Sequence, residues 1–346
     1  MTDAARGATA PVVLEPVANI DPADALDPRL TAEAVLFEIR RVIVGQDQML
    51  ERVLVALLAG GHLLLEGVPG LAKTLTIRTL ADALDASFRR IQFTPDLVPG
   101  DLVGTRIYRP DSGTFDTELG PVFCNFLLAD EINRAPAKVQ SALLEVMQER
   151  QVTIGQETHR VPRPFLVMAT QNPIESEGTY PLPEAQVDRF MMKVVVGYPT
   201  PAEEATVVER SLRPAAEIRP VLSAEGLGRL QAATPSIYVD PAIVQYAVAI
   251  VAATREPERF GLANLKPYIG FGASPRGSIG LLRAAQTLAA AEGRAFVIAD
   301  DIKRLAVPVL AHRLIVAPDA QLRGITADRV IIDLLGRQTV PGGVVA

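Results

Sequence analysis

The chain has 346 residues, of which 49% are hydrophobic and 21% are charged, and its formal net charge is −6. This length suits two domains, and the composition is that of a globular protein with enough apolar residues to build a core. The negative balance argues against binding of nucleic acid through bulk charge.

The single cysteine, Cys124, rules out an internal disulfide and is expected to be a buried small hydrophobe. The three histidines are scattered, and no Cys/His cluster has metal-ligand spacing. No apolar run approaches the ~18 residues that span a bilayer, and no signal peptide is visible. We therefore expect a cytoplasmic protein.

Residues 1–30 are rich in Ala, Pro and Asp without a sustained period, and are predicted to form a flexible tail. Short apolar strands then alternate with amphipathic helices over residues 31–199. The strands are expected at 62–66, 88–93, 126–129, 165–170 and 192–196, and the helices at 33–41, 47–59, 73–84 and 136–150. This alternation indicates an α/β domain whose parallel sheet lies between helices and binds ligands at the carboxyl ends of its strands.

Two insertions interrupt the alternation, at about 95–120 and 150–161. Each contains two β-like runs around a turn and is predicted to be a β-hairpin. A hairpin on a rigid domain can contact a partner or can serve as a packing ornament, and the pattern leaves both open.

Beyond residue 200 amphipathic helices dominate, at about 201–211, 223–232, 241–254, 274–292 and 299–311. A Gly-rich loop is expected at 255–273. A small helical second domain over 200–340 follows from this pattern.

Residues 67–74 read GVPGLAKT between a predicted strand and a predicted helix. Such a loop wraps backbone N–H groups around phosphate oxygens at a helix N-terminus. Lys73 can then reach the outer phosphates, and the Thr74 hydroxyl can hold Mg²⁺. The Walker A consensus has Gly before the lysine, whereas this chain has Ala72.

Acidic and amide side chains follow the next apolar strands. FLLADE at 126–131 is typical of a Walker B strand, which delivers Asp130 to the magnesium ion and places Glu131 to polarise a water molecule. Asn172, in MATQNP, can orient that water or contact the γ-phosphate, because an amide both donates and accepts. Taken singly, an Asn before a proline is more often a turn residue.

Two arginines are candidates for stabilising charge in the transition state. Arg189 follows the short segment PLPEAQV, where it would face a neighbouring subunit; the alternative is a surface salt bridge with Asp188 or Glu184. Arg276 opens a long helix of the second domain and can contact phosphate or remain solvated.

Six segments occur in the order typical of AAA+ ATPases: IVGQ at 43–46, GVPGLAKT, LLADEINRA at 127–135, MATQNP at 168–173, LPEAQVDRF at 182–190 and GASPRG at 272–277. The chain resembles the MoxR family in particular, over about residues 31–335. Ala before the P-loop lysine is common in that family. The two hairpins likewise resemble the helix-2 insert and the pre-sensor-1 hairpin of the AAA+ branch that includes magnesium-chelatase motors.

The resemblance implies a fold, an activity and a set of site residues. The fold is a P-loop AAA+ core followed by a small all-α lid, and the activity is hydrolysis of ATP with Mg²⁺. The nucleotide would be bound by Val44, Gly45, Gln46, Gly67, Val68, Pro69, Gly70, Leu71, Ala72, Lys73, Thr74 and Leu75. Thr74 and Asp130 would hold the metal. Glu131 would be the base, Asn172 sensor 1, Arg189 the arginine finger and Arg276 sensor 2, in cis or in trans; Arg134 is a further candidate for an inter-subunit contact.

MoxR-like proteins are thought to form hexameric rings that act as chaperone-like factors in maturation or metal insertion, often beside proteins with von Willebrand A domains. The leading hypothesis is accordingly an ATP-driven remodeller of protein clients. The alternative is a nucleic-acid translocase that uses the 150–161 hairpin, but Glu149 and Glu157 offset Arg150 and Arg160 there, so the hairpin is no clear phosphate track. A third reading, a module that binds ATP without hydrolysing it, conflicts with the presence of Glu131 and Arg189.

Overall fold

The computed structural model describes residues 27–68, 70–173, 178–214 and 216–340. Most of the predicted N-terminal tail lies outside these ranges. Its last three residues belong instead to the first helix, α1 (Pro28–Arg40). The helix begins there because Asp27 accepts hydrogen bonds from the N–H groups of Arg29 and Leu30, and a proline occupies the first helical position. The predicted tail therefore extends too far into the chain.

The sheet-containing part of the chain follows α1. Its elements are α2 (Asp47–Leu58), β1 (Leu63–Glu66), α3 (Lys73–Ala83), β2 (Phe88–Gln92), α4 (Pro99–Val103), β3 (Gly104–Arg109), β4 (Thr114–Leu119), β5 (Phe126–Asp130), α5 (Ala137–Glu149), β6 (Gln151–Ile154), β7 (Glu157–Arg160), β8 (Leu166–Gln171), α6 (Glu184–Val187) and β9 (Met192–Val195).

Five of these strands form one parallel sheet in the order β2-β5-β8-β1-β9. Its three inner strands are apolar and buried, as strands covered on both faces must be. Successive side chains of β1 enter different cores: Leu63 and Leu65 join the core under α1 and α2, and Leu64 joins the core under α5. The predicted parallel sheet between helices is thus confirmed.

Two antiparallel hairpins project from this sheet. β3 pairs with β4, and β6 pairs with β7. The β3–β4 hairpin is almost entirely exposed, and its Tyr108 and Phe115 rings lie at a centroid distance of 5.1 Å with their planes tilted by 53°. The short helix α4 before this hairpin was not predicted from the sequence.

The C-terminal part is mainly helical. Its elements are α7 (Pro201–Ser211), α8 (Ala224–Ala233), α9 (Pro241–Arg255), β10 (Ile269–Phe271), α10 (Pro275–Ala291), α11 (Ala299–Leu310), β11 (Ile315–Val316), α12 (Pro318–Leu322) and α13 (Ala327–Leu335). Helix α10 packs on α1 and α2, and α11 packs on β9, so this part shares a core with one face of the sheet. No helix in the described ranges is long and apolar enough to cross a membrane.

The stretch predicted as a Gly-rich loop, 255–273, needs a correction. It contains two short 3₁₀ helices, Pro257–Phe260 and Ala263–Tyr268, followed by β10. β10 pairs antiparallel with β11. The helical lid therefore carries a small two-stranded sheet.

Candidate functional site

A cavity of about 410 Å³ lies at the carboxyl ends of the sheet strands, and we call it the carboxyl-edge cavity. Its lining comprises Gly70, Leu71, Ala72, Lys73, Thr74, Leu75, Arg90, Gln92, Asp130, Glu131, Thr170 and Asn172. The structure therefore brings together most of the glycine loop, both predicted carboxylates and the predicted amide. Pro69 lies outside the described residues.

The glycine loop leaves β1 in a conformation that two small residues permit. A Cβ at Gly67 would lie 2.7 Å from the carbonyl oxygen of Val196, so a side chain does not fit there. Ala72 has φ of 55°, in the left-handed region, and is the N-cap residue of α3. The Lys73 ammonium follows and donates to the Gly67 carbonyl at 2.6 Å. The backbone of the loop therefore folds back over the Lys73 side chain.

Burial lowers the pKa of Lys73, and the nearby carboxylates of Asp130 and Glu131 oppose this change. The lysine thus lies close enough to both acids to interact with them through charge.

Asp130 ends β5 with both carboxylate oxygens engaged. Thr170 donates its hydroxyl to Oδ1 at 2.6 Å, and Arg90 donates to Oδ2 at 2.7 and 3.1 Å. Glu131 follows in the left-handed region, at φ of 56°, and its N–H donates to the Thr170 oxygen at 2.8 Å. Thr170 therefore fixes the backbone turn that separates the two acids.

The Glu131 carboxylate is held by two further groups. Gln92 donates to Oε2 at 2.7 Å, and Arg134 lies 2.9 Å from the same oxygen. The inter-subunit role suggested for Arg134 is thus not needed to explain its position, because it pairs with an acid of its own chain. Both carboxylates of the cavity are partnered by arginines of the same subunit.

Three residues of this site, Arg90, Gln92 and Thr170, were not predicted from the sequence. The available signal was positional: Gln92 is the last residue of β2, and Thr170 is the penultimate residue of β8. Both strands neighbour β5, so polar residues at their carboxyl ends reach the same edge of the sheet.

The residues of this cavity fit a magnesium-bound nucleoside triphosphate. A carboxylate and a hydroxyl supply the hard oxygen ligands that Mg²⁺ prefers. A lysine at the start of an eleven-residue helix supplies positive charge for phosphate. A Cβ at Gly70 would meet nothing within 4 Å, so the loop presents open space on that side.

The segment Val44–Gln46 lies outside the lining of this cavity. Gln46, at φ of 57°, precedes α2, and its side-chain amide donates to the Gly197 carbonyl at 3.0 Å. The segment therefore contacts the connection between β9 and α7, where the sheet gives way to the helical part.

The two arginines singled out from the sequence line a different cavity, of about 250 Å³, which we call the arginine cavity. Its charged side chains are five arginines and one aspartate: Arg150, Arg189, Arg276, Arg283, Arg313 and Asp188. Gly61 and Met191, which precede β1 and β9, also line it. The arginine cavity therefore lies at the amino ends of strands whose carboxyl ends face the glycine loop.

The side chain of Arg189 is not in the salt bridge considered above. The Asp188 carboxylate instead accepts from Ser274 and Arg313 and lies 3.6 Å from Arg276. Within the described ranges, Arg189 forms no ion pair with Asp188 or Glu184, and its buried Nε has no hydrogen-bond partner. Arg189 therefore carries a polar atom that the described part of its own chain does not satisfy.

Cys124 is buried and free, and burial raises the pKa of its thiol to about 12. This agrees with the expected role as a small core residue. Among the described residues, no group of three or more His, Cys, Asp or Glu side chains could hold a metal ion by itself.

Comparison with known proteins places this geometry in context. The model of the ATPase family associated with various cellular activities (AAA) matches residues 62–192, and the AAA lid domain matches 263–334. The chain is 55% identical to Chaperone MoxR1 of Mycobacterium tuberculosis over 90% of its own length and 82% of that protein. It is 32% identical to Protein MoxR of Methylorubrum extorquens, over 93% and 99% of the two chains. A crystal structure of a protein described as an ATPase from Cytophaga hutchinsonii superposes with a TM-score of 0.86 at 46% identity, covering 91% of this chain and 96% of that one.

Proposed function

The chain belongs to the MoxR family of AAA+ ATPases, and from this we propose that it is a ring-forming motor whose nucleotide sites are each completed by a neighbouring subunit. Hydrolysis of ATP is the activity of the family. The observation that carries the proposal is the separation of the two cavities, which lie at opposite edges of one sheet.

In this proposal the carboxyl-edge cavity binds the nucleotide. Lys73 neutralises the outer phosphates, and Thr74 and Asp130 hold the magnesium ion. That ion supplies charge neutralisation to the phosphate oxygens during transfer. Gln92 and Arg134 both contact the Glu131 carboxylate and orient it. Once either side chain moves away, the carboxylate can take a proton from water. Asn172 positions the water or contacts the γ-phosphate.

Arg189 and Arg276 act on the nucleotide of the adjacent subunit. They share the arginine cavity, away from their own glycine loop, and within the described ranges Arg189 forms no ion pair with Asp188 or Glu184. A γ-phosphate presented by a neighbour would supply the missing counter-charge. The proposal thus assigns Arg276, as well as Arg189, a role in trans.

The proposed clients are proteins. A relative named Chaperone MoxR1 and the exposed aromatic pair on the β3–β4 hairpin support a motor that remodels or matures partner proteins. In this proposal the motor is a ring of six subunits in the cytoplasm. Insertion of a metal or cofactor, or assembly of a complex with a von Willebrand A protein, is the proposed task.

The trans arrangement is tested by mixing inactive variants. Lys73→Ala protein lacks its own nucleotide site but retains its arginines, whereas Arg189→Ala protein has the opposite defect. Mixed assemblies should regain hydrolysis at interfaces that join an intact site to an intact arginine, measured as phosphate release. A mixture that stays inactive although both variants assemble would contradict the trans assignment.

The client class is tested with Glu131→Gln protein, which should bind ATP and remain assembled without turnover. Capture of bound material in ATP, followed by mass spectrometry, should recover protein, with Lys73→Ala as the matched control that does not bind ATP. Recovery of nucleic acid in place of protein would overturn the client proposal.

A further inference from the structure

Arg313 is a charged side chain buried at the junction between the lid and the sheet domain. It follows α11, and its side chain is 3% exposed. Burial lowers the pKa of Arg313 to about 10, while Asp188 opposes the shift, so the guanidinium stays charged near pH 7. A charge buried this deeply is costly unless every donor finds a partner.

The partners of Arg313 surround Arg189 along the chain. Nε donates to the Asp188 carboxylate at 2.8 Å, and Nη2 donates to the Asp188 carbonyl at 3.1 Å. Nη2 also donates to the Phe190 carbonyl at 2.6 Å, and Nη1 donates to the Met191 carbonyl at 3.2 Å. One lid side chain therefore binds the backbone on both sides of Arg189.

The lid side of the same contact is anchored by Arg313 as well. Its Nη1 donates to the Val309 carbonyl in the last turn of α11. The planar guanidinium cannot swivel between these acceptors, because its five N–H groups point in fixed directions. Arg313 thus forms a rigid link between α11 and residues 188–191, and we call this set of hydrogen bonds the bracket.

Asp188 extends this bracket to Arg276. Its carboxylate accepts from the Ser274 hydroxyl at 2.9 and 3.1 Å and lies 3.6 Å from Arg276 Nη1. Ser274 in turn accepts from the Arg276 N–H as the N-cap of α10. The start of α10 and the turn that carries Arg189 are consequently joined through one carboxylate.

We propose that Arg313 is a positioning residue that binds the lid to the Arg189 turn, so that Arg189 and Arg276 are presented to the neighbouring subunit as one rigid unit. The inference rests on the proposed action of these two arginines in trans. A displacement of about 1 Å at a reacting group can cost on the order of a hundredfold in rate, so a bracket of this kind sets the rate without touching the nucleotide.

The test uses Arg313→Met in the assembled full-length protein. We expect kcat to fall by about 10- to 100-fold, while KM and the affinity for a fluorescent ATP analogue stay within about threefold of the unmodified protein. Nucleotide binding is retained because the carboxyl-edge cavity lies at the other edge of the sheet.

Complementation separates positioning from a general loss of structure. Arg313→Met should regain hydrolysis when mixed with Lys73→Ala, as Arg189→Ala does, because its own nucleotide site is intact. It should gain nothing when mixed with Arg189→Ala, since both variants then lack a working arginine cavity. Damage to the fold would impair both sites of the subunit and prevent rescue by Lys73→Ala.

Arg294→Met is the matched control. Arg294 is also a lid arginine that pairs with a buried acid, lying 2.6 Å from Asp301, which is 1% exposed. Its partners lie within the lid, so its loss should lower thermal stability without a comparable fall in kcat. Arg313→Lys keeps the positive charge but loses the planar set of N–H donors of the guanidinium. It should therefore restore part of the rate lost in Arg313→Met.

Two outcomes distinguish failure of this inference from failure of the trans proposal. If Arg189→Ala complements Lys73→Ala but folded, assembled Arg313→Met does not, the bracket role of Arg313 is wrong. If Arg189→Ala itself fails to complement Lys73→Ala, the trans proposal fails first. A normal kcat in Arg313→Met would also overturn the inference.

Discussion

Ala72 has a left-handed backbone conformation, which every residue except glycine adopts at a cost in free energy. Its φ is 55° and its ψ is 15°, directly before Lys73. The left-handed region costs a residue with a Cβ roughly 1–2 kcal/mol, and the Walker A consensus avoids this cost with glycine. The proposed phosphate-binding turn thus has the backbone that a glycine would adopt, with an extra methyl group at Ala72.

Ala72→Gly should therefore leave nucleotide affinity unchanged within about twofold. Relief of backbone strain is offset by the larger entropy of a glycine in the unfolded chain, about 0.4–1 kcal/mol, so the free energy of unfolding should also change little. Calorimetric titration with ATP and thermal unfolding check both quantities. Ala72→Val is the contrasting variant: a β-branched residue at this φ should destabilise the loop and weaken binding. Severe loss of binding in Ala72→Gly would mean that the methyl group itself has a role.

His62 is a buried histidine with both ring nitrogens engaged. The Val167 N–H donates to Nδ1 at 3.0 Å, which leaves Nε2 as the donor to the Met147 carbonyl at 3.1 Å. Protonation would place a second N–H against the Val167 N–H, and burial lowers the pKa of His62 to about 4 from 6.5. The folded chain therefore holds this ring neutral.

Stability should consequently fall in mild acid. Below pH 6.5 the unfolded chain binds a proton at His62 that the folded chain excludes until about pH 4. The free energy of unfolding should drop across this window by about 3 kcal/mol from His62 alone. Urea unfolding at pH 7 and pH 4 measures the change. His62→Leu should start less stable but show a shallower slope, with the remainder from His312, whose pKa burial also lowers. Equal slopes in the two proteins would contradict the assignment.

At the scale of elements, the β3–β4 hairpin stands apart from the sheet. Tyr108 and Phe115 are 52% and 56% exposed, and the Arg106 guanidinium lies 4.9 Å from the centre of the Phe115 ring. Arg106 also packs against Gly155 at the turn between β6 and β7. A Cβ added at Gly155 would lie only 2.6 Å from Cδ of Arg106. The two hairpins therefore contact each other.

Removal of the β3–β4 hairpin should leave nucleotide binding intact. Gly104 and Leu119 are register partners, so a direct link between them can replace residues 105–118 without stretching the chain. We expect the free energy of unfolding to change by no more than about 1 kcal/mol, because the removed side chains are exposed. Thermal unfolding and ATP titration check this result. The double variant Tyr108→Ser/Phe115→Ser keeps the hairpin backbone and serves as the control; loss of ATP binding in the deletion would show that the hairpin supports the site.

The elements that sequence analysis predicted are those with a strong local pattern. The central strands are continuous apolar runs, and α10 and α11 have clear helical periods, so burial alone defines them. β10 has three residues and exists because Ile269–Phe271 meets Ile315–Val316 from far along the chain. The glycines of residues 255–273 indicated a loop, and a strand pairing of this length leaves no periodicity in the sequence.

At the scale of the molecule, hydrolysis should depend on encounters between chains. If Arg189 acts in trans, isolated subunits are inactive, and activity per subunit should rise with protein concentration as assemblies form. Phosphate release measured beside light scattering checks this expectation. Arg189→Ala provides the control, because it should assemble to the same extent without a rise in activity. Constant activity per subunit down to the monomer would contradict it.

The grouping of the arginines could not have been predicted from sequence alone. The sequence offered Arg189 and Arg276 as two separate candidates for contacting phosphate, each with a surface position as the alternative. Their meeting in one cavity depends on how the lid docks against β9 and α2. The carboxyl-edge cavity was easier to predict than the arginine cavity. Parallel strands bring their carboxyl ends to one edge of the sheet however the lid docks, so the order of the motifs along the chain was enough. The identity of the residues that partner Asp130 required the actual side-chain geometry.

The two cavities lie at opposite edges of the sheet, so each subunit has two unlike faces. In the proposed trans arrangement the contact joins two unlike surfaces, which makes it heterologous, and repeated contacts either close after a fixed number of copies or continue as an open helix. An open assembly always has one terminal carboxyl-edge cavity without an arginine donor and one terminal arginine cavity without a nucleotide. If the arginines act in trans, closure does more than add contacts, because it completes the last unfinished nucleotide site. Only a closed assembly would then have every copy equipped to hydrolyse ATP.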